Sequence, residues 1–246
     1  MKIENIKVNR ILDSRREWAL EVKIFCEGIE GKSSIPVGKS LGKHEAICLD
    51  CEKIEKNIPK FLKNLKKLDF KSSKEFDQFL IELGGKYKEK LGANFVLGAS
   101  IAFSRVLAKK ENLELWEYLN RLYMNQYESG INQYKKIYAP DLIINSIGGG
   151  VHSFNNLDFQ EYWLITNKCG GKTDKCGYFY KVLAKILNII NKLEEKLPKP
   201  LGRNDEGAFC TNFSDNYEPF LYLKEFKNDF ELGADIAANQ ITKLVN

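Results

Sequence analysis

Apolar and polar side chains alternate along the first 36 residues, and this two-residue period is typical of β-strands. The alternation is clearest over residues 3–12 and 19–27. Gly28 to Gly31 supplies a turn, and Lys32 to Pro36 continues as a third strand. The pattern therefore predicts an antiparallel meander of three strands.

Beyond residue 42 the apolar positions recur every three or four residues, as they do on one face of an α-helix. Pro59 suits the first turn of a helix, because its missing N–H costs little there. The predicted helices cover residues 44–56, 59–67, 73–83 and 92–110. Residues 1–125 are therefore predicted to form an α+β domain, with three strands followed by helices.

In the second half of the chain, predicted strands are separated by predicted helices. The strands cover residues 142–145, 159–166, about 199–204 and 231–237, and the helices cover 175–195 and 218–227. This succession indicates βα units and the start of a parallel sheet or barrel. We expect residues 126–140 to be a linker and residues 141–246 to form a partial α/β barrel of the TIM type.

Charge and hydropathy narrow the classes of partner. The formal net charge of +5 is modest, and lysines lie along helical faces such as residues 53–74. No recognition motif accompanies them, so we expect no nucleic-acid partner. No apolar run approaches the ~18 residues that cross a bilayer, and the first residues lack the apolar segment of a signal peptide. We therefore expect no membrane partner and a cytoplasmic location.

The six cysteines are expected to stay reduced in that compartment. Cys48 and Cys51 have the spacing of a metal-ligand pair, and Cys169 and Cys176 lie near glycines. A structural zinc site needs four converging ligands. Two hypotheses stay open for these cysteines, a zinc site or small thiols that are buried or at the surface.

Acidic side chains stand at or near the ends of three predicted strands in the second half. Strand ends of a barrel converge on the face that barrel enzymes use for catalysis, so these side chains are expected to meet. Such a cluster suits metal binding or paired acid–base chemistry. The alternative is turn and capping chemistry, since Asn-Asp-Glu-Gly at 204–207 is also typical of a loop. The candidates are Asp158, Gln160, Glu161, Asp205, Glu206 and Asp235.

His152 follows three consecutive glycines, Gly148 to Gly150. Glycine permits positive φ angles and a close approach of one backbone to another. We therefore expect His152 to lie on a tight loop that faces a ligand. The alternative is a histidine with a purely structural role.

Seven segments occur in the order of one family's motifs. They are Leu12-Asp-Ser-Arg15, Ser34-Ile-Pro36 through Gly42-Lys-His-Glu-Ala46, Leu91-Gly-Ala-Asn94 with Leu97-Gly98 and Ser100, Leu115 to Leu119, Gly149 to Glu161, Asp205-Glu-Gly207, and Asp235-Ile-Ala-Ala238. Together they resemble the enolases, magnesium-dependent lyases that interconvert 2-phosphoglycerate and phosphoenolpyruvate. The resemblance implies an N-terminal α+β domain joined to a barrel.

The resemblance also implies roles for five residues. His152 is similar to the family's substrate-side histidine, and Gln160 to an amide beside the pocket. Glu161 resembles an acid near the leaving hydroxyl, and Glu206 resembles the acid that helps to expel it. Asp235 is similar to the first of three acidic ligands of the structural magnesium. Mg²⁺ is the implied cofactor, and a small phosphorylated acid is the implied ligand.

The chain departs from the family pattern at several positions. Val37 stands where the family loop has a serine that helps to hold the second magnesium, and a valine side chain offers no oxygen. Leu41 replaces a threonine of the same loop. Gly148 replaces an asparagine. The family's glycine-asparagine-proline and serine-glutamate become Arg16-Glu17-Trp18 and Asn239-Gln240.

Residues 141–246 amount to less than half of the ~250 residues of a (β/α)₈ barrel. We expect the family's other two magnesium carboxylates, its lysine base and its phosphate-binding residues to lie outside these residues. The chain is then not expected to catalyse the reaction alone, since proton abstraction beside a carboxylate needs a base and metal charge together. Acids crowded together without a cation repel one another, and open strand edges favour pairing.

Three hypotheses follow from this incomplete site. The first is an enolase-like protein that is inactive alone. The second is one half of a split enzyme that another chain completes. The third is a binding or scaffold protein that pairs with an enolase. All three are compatible with a homo-oligomer or with a protein partner that completes the barrel.

Overall fold

The computed structural model describes residues 1–38, 42–65, 68–127, 140–166 and 177–241. The chain divides into two compact units, Met1–Asn132 and Gln133–Asn246. Most of the predicted linker lies outside the described residues, as do Leu41, Cys169 and Cys176. The domain limits at 125 and 141 stay predictions.

The first unit begins with the antiparallel meander that the sequence predicts. Strands β1 (Asn5–Leu12), β2 (Trp18–Cys26) and β3 (Ile29–Ile35) are hydrogen-bonded in that order. The turn between β2 and β3 is shorter than predicted, because it consists only of Glu27 and Gly28. Both residues have positive φ, 49° and 79°, which matches the twist of a two-residue hairpin. β3 therefore begins at Ile29, within the segment that the sequence assigns to the turn.

Four helices follow the meander. They are α1 (Cys51–Leu65), α2 (Ser73–Gly84), α3 (Ala93–Lys110) and α4 (Leu115–Tyr127). α2 and α3 agree with the prediction to within one residue at each end. At the start of α2 the Ser72 side chain accepts a hydrogen bond from the Glu75 N–H at 3.2 Å, which satisfies a free donor of the first turn.

The prediction of two helices on either side of Pro59 is wrong, because α1 runs through this proline. The helix begins at Cys51, where the Asp50 carboxylate accepts a hydrogen bond from the Glu52 N–H at 2.8 Å. A proline inside a helix costs about 3 kcal/mol. Burial of the apolar face of α1 offsets this cost. Ile54 and Ile58 are buried before the proline, and Phe61 and Leu65 are buried after it.

α3 packs very closely against the sheet of the first unit. The Ser33 hydroxyl donates a hydrogen bond to the Gly98 carbonyl at 2.6 Å. Gly31 lies against the Ala102 backbone, so that a Cβ at position 31 would stand 1.9 Å from the Ala102 carbonyl oxygen. Glycine at 31 is thus a requirement of this packing rather than of a turn.

Gly31→Ala is therefore expected to destabilise the first unit by about 1–3 kcal/mol, the usual cost of overpacking. Strand and helix must separate to make room, because the clash is with backbone and not with a flexible side chain. Urea denaturation followed by circular dichroism measures the change.

Gly28→Asn is the control for that experiment. Nothing lies within 4 Å of a Cβ at position 28, and asparagine adopts positive φ more readily than most residues. An equal loss of stability in both variants would contradict the close-contact explanation.

The second unit contains a five-stranded sheet with three described helices. The strands are β4 (Ile143–Gly148), β5 (Glu161–Thr166), β6 (Gly202–Arg203), β7 (Phe209–Cys210) and β8 (Phe230–Asp235). The helices are α5 (Gly177–Lys196), α6 (Glu218–Leu223) and α7 (Ala238–Ile241). The strand order is β6-β7-β4-β5-β8, and the described strands form an open sheet, as in part of a barrel.

The expectation of a parallel start to this sheet is wrong. β4 and β7 are parallel, but β5 runs antiparallel to both β4 and β8. Parallel neighbours need a long crossover, usually through a helix. The segment between β4 and β5 contains only a short 3₁₀ turn, Gly150–His152, so the chain returns in the opposite direction.

α5 packs its apolar face against the sheet of the second unit. Ile189, Leu193 and Leu197 are buried there in one cluster with the sheet residues Ile147, Tyr162, Leu164 and Phe209. Among the helices in the described ranges, none combines the length and apolar character that a bilayer crossing needs.

Candidate functional site

A tight glycine loop connects β4 to β5, as the sequence predicts. The Gly149 N–H donates to the Gln160 carbonyl at 2.9 Å, and the Gly150 N–H donates to the Leu157 carbonyl at 2.8 Å. Gly150 has a φ of 54°, and a Cβ on Gly149 would lie 2.3 Å from the Phe159 carbonyl oxygen. Glycine is therefore required at both positions, and the loop holds His152 beside the start of β5.

Asparagines fix the other half of this loop. The Asn155 amide donates to the carbonyls of Gly148 at 2.7 Å and Thr211 at 2.9 Å. Asn156 exchanges two hydrogen bonds with the Phe213 backbone, at 2.6 and 3.1 Å. These bonds tie the loop to the segment that follows β7.

Gly148 lies under this loop in a crowded place. A Cβ at position 148 would stand 2.5 Å from the Asn204 side-chain nitrogen and 2.7 Å from the Ser153 hydroxyl oxygen. The absence of a side chain at 148 thus leaves room for both polar groups. Neither of these two atoms has a hydrogen bond to another described residue.

The reversed direction of β5 brings the acidic residues to one edge of the sheet. In the strand register, Glu161 stands opposite Gly148 of β4 and opposite Asp235 of β8. The first residue of β5 therefore meets the last residues of its two neighbours. Glu161 and Asp235 therefore meet at this edge, although the strands are not all parallel.

Glu206 reaches the same place from a turn. The Asn204 side-chain oxygen accepts hydrogen bonds from the backbone N–H groups of Glu206 at 3.1 Å and Ala208 at 2.9 Å. Such an Asx turn is the loop chemistry that the sequence offers as an alternative. Here the turn also aims Glu206, whose Oε2 accepts a hydrogen bond from Asn145 at 3.1 Å.

His152, Glu161 and Glu206 form a cluster whose ligand atoms all lie within 4.8 Å of one another. His152 Nδ1 is 3.1 Å from Glu206 Oε1. The imidazole is almost completely buried, with 5% of the residue exposed; Nδ1 is in contact with Glu206, whereas Nε2 has no hydrogen bond to a described residue. Unpaired polar atoms in a buried place normally indicate a missing partner.

Burial raises the pKa of Glu161 above its ordinary value of 4.5, and the neighbouring Glu206 and Asp235 charges raise it further. A hydrogen bond from the Trp163 indole N–H to Glu161 Oε2, at 2.6 Å, opposes this rise. Glu161 is thus the carboxyl of the cluster that is suited to keep a proton.

Asp235 and Gln160 lie beside the cluster rather than within it. Asp235 Oδ1 accepts the Ala237 N–H at 2.9 Å, and Oδ2 accepts the Gln160 amide at 3.4 Å. Magnesium prefers near-octahedral oxygen coordination. Among the described residues no group of three ligands includes Asp235, so this carboxylate by itself does not fit a magnesium ion.

Two other acidic candidates are not part of the His152, Glu161 and Glu206 cluster. Asp158 exchanges two hydrogen bonds with the Asn216 side chain, each 2.8 Å long, and so fixes a loop. Asp205 is exposed on the turn that carries Glu206.

Cys26, Cys51 and Cys210 are buried free thiols and Cys48 is an exposed one. Among the described residues, no group of three possible metal ligands includes a cysteine.

The residues that hold the two glutamates in place were not predicted from the sequence. Asn145 and Trp163 each donate to one carboxylate, and Asn204 shapes the turn. Asn145 carried one available signal, because an asparagine inside an apolar strand has to find a partner. Trp163 carried none, since aromatic residues are common in strands.

Glu161→Gln is expected to stabilise the metal-free chain at neutral pH. A raised pKa means that the folded state favours the protonated form, so stability falls as the pH rises from 4.5 through the folded-state pKa. Glutamine carries no charge and its carbonyl can still accept the Trp163 N–H. The gain in melting temperature should be clear at about pH 8 and nearly absent at about pH 4.

Thermal denaturation in the presence of EDTA measures this effect. Glu231→Gln is the matched control, because Glu231 is exposed on β8. A gain of equal size at both pH values, or in both variants, would show that burial of the Glu161 charge is not its cause.

Comparison with known proteins adds the family. Residues 3–119 match the family model described as "Enolase, N-terminal domain". The chain is 32% identical to an enolase of Ehrlichia ruminantium (strain Welgevonden), over 99% of this chain and 59% of that protein. It is 31% identical to an enolase of a Nitratiruptor species, over 90% of this chain and 52% of that protein.

The chain thus spans between half and three-fifths of the length of these curated relatives. The likeness continues past residue 119 through the glycine loop and the cluster beside it, since the longer match covers 99% of the chain. Residues 3–119 therefore belong to the enolase N-terminal family, and the similarity to enolases extends through the second unit as well.

Proposed function

We propose that this chain carries the acid side of an enolase-type active site. The reaction is the removal of water from 2-phosphoglycerate to give phosphoenolpyruvate. The observation that carries the proposal is the convergence of His152, Glu161 and Glu206 from three separate segments. These segments belong to a chain that matches enolases along nearly all of its length.

Glu206 and Glu161 act on the leaving hydroxyl. Loss of hydroxide is difficult unless an acid protonates it as the C–O bond breaks. Burial and the neighbouring acids raise the pKa of Glu161, which favours the protonated form of this carboxyl. Glu206 stands next to it with its Oε2 held by Asn145, so the pair can share and deliver one proton.

His152 and Gln160 bind the substrate beside these acids. The buried Gln160 Oε1 and His152 Nε2 have no hydrogen bond to a described residue. Buried polar atoms without a partner cost free energy, and a polar ligand that pairs with them recovers it. A small phosphorylated acid offers both hydroxyl donors and anionic oxygens to such groups.

Magnesium would be held through Asp235, with its remaining ligands from elsewhere. When bound, the ion stabilises negative charge on the substrate carboxylate. Since Asp235 alone does not form such a site, we propose that these 246 residues do not complete the reaction by themselves. This chain would then bind and orient the ligand and deliver the proton.

A second candidate function is one part of an enzyme assembled from two chains. β8 has β5 as its only neighbour among the described strands, so its other edge is available for pairing. A strand added there would continue the sheet beside Asp235. A scaffold role in complex with a complete enolase uses the same edge without turnover.

Purified chain mixed with Mg²⁺ and 2-phosphoglycerate is expected to give no phosphoenolpyruvate. Addition of the C-terminal part of a curated relative, as a separate polypeptide, tests the two-chain function by restoring turnover. Glu206→Gln in that mixture should then lower the rate by about 100-fold or more, because the proton donor is lost.

Three outcomes separate these functions. Robust turnover by the chain alone contradicts the proposed division of the site. Restored turnover that is indifferent to Glu206→Gln contradicts the role of this acid. Stable pairing without turnover favours the scaffold function. Glu82→Gln, at an exposed position of α2 in the first unit, serves as the control for nonspecific loss.

A further inference from the structure

We propose that His152, Glu161 and Glu206 form a binding site for a transition-metal dication of the Zn²⁺ type. This site does not include Asp235, the residue that we propose as one magnesium ligand, and it goes beyond the proposed function. Its starting point is the imidazole. His152 is buried, its Nε2 has no hydrogen bond to any residue in the described ranges, and its Nδ1 contacts Glu206 Oε1 at 3.1 Å.

The distances suit a metal ion. In a tetrahedral zinc site with metal–ligand bonds of about 2.0–2.2 Å, neighbouring ligand atoms are about 3.3 Å apart. His152 Nδ1 and Glu206 Oε1 are 3.1 Å apart, and the three ligand atoms are within 4.8 Å. The Glu206 side chain is 29% exposed, so it has room for the adjustment that closes the remaining gap.

Each carboxylate is already held through one oxygen. Trp163 donates to Glu161 Oε2 at 2.6 Å, and Asn145 donates to Glu206 Oε2 at 3.1 Å. The second oxygen of each carboxylate is the one that an ion would take, and that of Glu206 already contacts His152 Nδ1 at 3.1 Å. Hydrogen bonds of this kind to the non-coordinating oxygen orient the ligands of protein metal sites and raise their affinity.

The donor set decides which ion fits. One imidazole nitrogen with two carboxylates suits Zn²⁺, Co²⁺ or Mn²⁺, whereas Mg²⁺ strongly prefers oxygen ligands and keeps much of its water. Three protein ligands leave a fourth position for water or a ligand oxygen. A bound dication also neutralises the two glutamates, so metal binding and proton delivery by these acids exclude each other.

The test is a calorimetric titration of the EDTA-treated chain with Zn²⁺, followed by Co²⁺ for its visible absorption. One equivalent of each ion is expected to bind. His152→Ala is expected to weaken binding by at least about 10-fold, and Glu206→Gln is expected to do the same. Glu206→Gln keeps the test decisive if removal of the buried imidazole disturbs folding, which circular dichroism reports.

Three control variants define the site. His44→Ala removes an exposed histidine and Cys48→Ser an exposed thiol, and both should leave the Zn²⁺ affinity within about 2-fold. Asp235→Asn should also keep Zn²⁺ binding, which separates this site from the magnesium position. Affinity that survives Glu206→Gln, or that falls equally in His44→Ala or Cys48→Ser, overturns the proposal.

The titration needs no substrate, so its result is independent of the proposed enolase chemistry. Zn²⁺ binding without restored turnover in the two-chain mixture supports the metal site and contradicts the acid role. Turnover without Zn²⁺ binding supports the acid role and contradicts the metal site.

Discussion

Two backbone hydrogen bonds, from Gly149 to Gln160 and from Gly150 to Leu157, set the geometry on which the second unit depends. They close the chain tightly enough for β5 to return beside β4 in the opposite direction. That reversal places Glu161 at the edge where β4 and β8 end. A side chain at position 149 would collide with the backbone of Phe159, so the steric constraint and the position of the acid have one cause.

Three acidic side chains determine the electrostatics of this edge of the sheet. Glu161, Glu206 and Asp235 lie close enough for the charges of the latter two to raise the pKa of the first. The folded chain keeps these acids together because neutral donors, Trp163 and Asn145, hold them. No cationic side chain within the described residues forms an ion pair with Glu161 or Asp235, which leaves the cluster ready to take a proton or a dication.

Local patterns predicted the parts of the fold that local forces determine. The meander and helices α2 and α3 follow from alternation, from periodicity and, for α2, from the Ser72 cap, so they appear nearly where expected. Pro59 was misleading, because burial of an apolar face on both sides of it outweighs the lost hydrogen bond. The direction of β5 was also misread, since it depends on the length and glycine content of one loop.

The candidate site also contains residues that the sequence predicts and residues that only the folded structure reveals. His152, Glu161 and Glu206 were identified from family motifs, and the strand edge that gathers them was expected from barrel geometry. Their supports Asn145, Trp163 and Asn204 come from three different segments, and only the folded chain brings these together. A partner that lies 61 residues away, as Glu206 does from Asn145, leaves no periodic signal in the sequence.

Position 148 shows how one small residue leaves room for polar groups. A Cβ here would stand 2.5 Å from the Asn204 side-chain nitrogen and 2.7 Å from the Ser153 hydroxyl oxygen. A larger side chain therefore has to displace these two groups, and Asn204 also shapes the turn that aims Glu206. The size of residue 148 is thereby coupled to the orientation of an acid on a different segment of the chain.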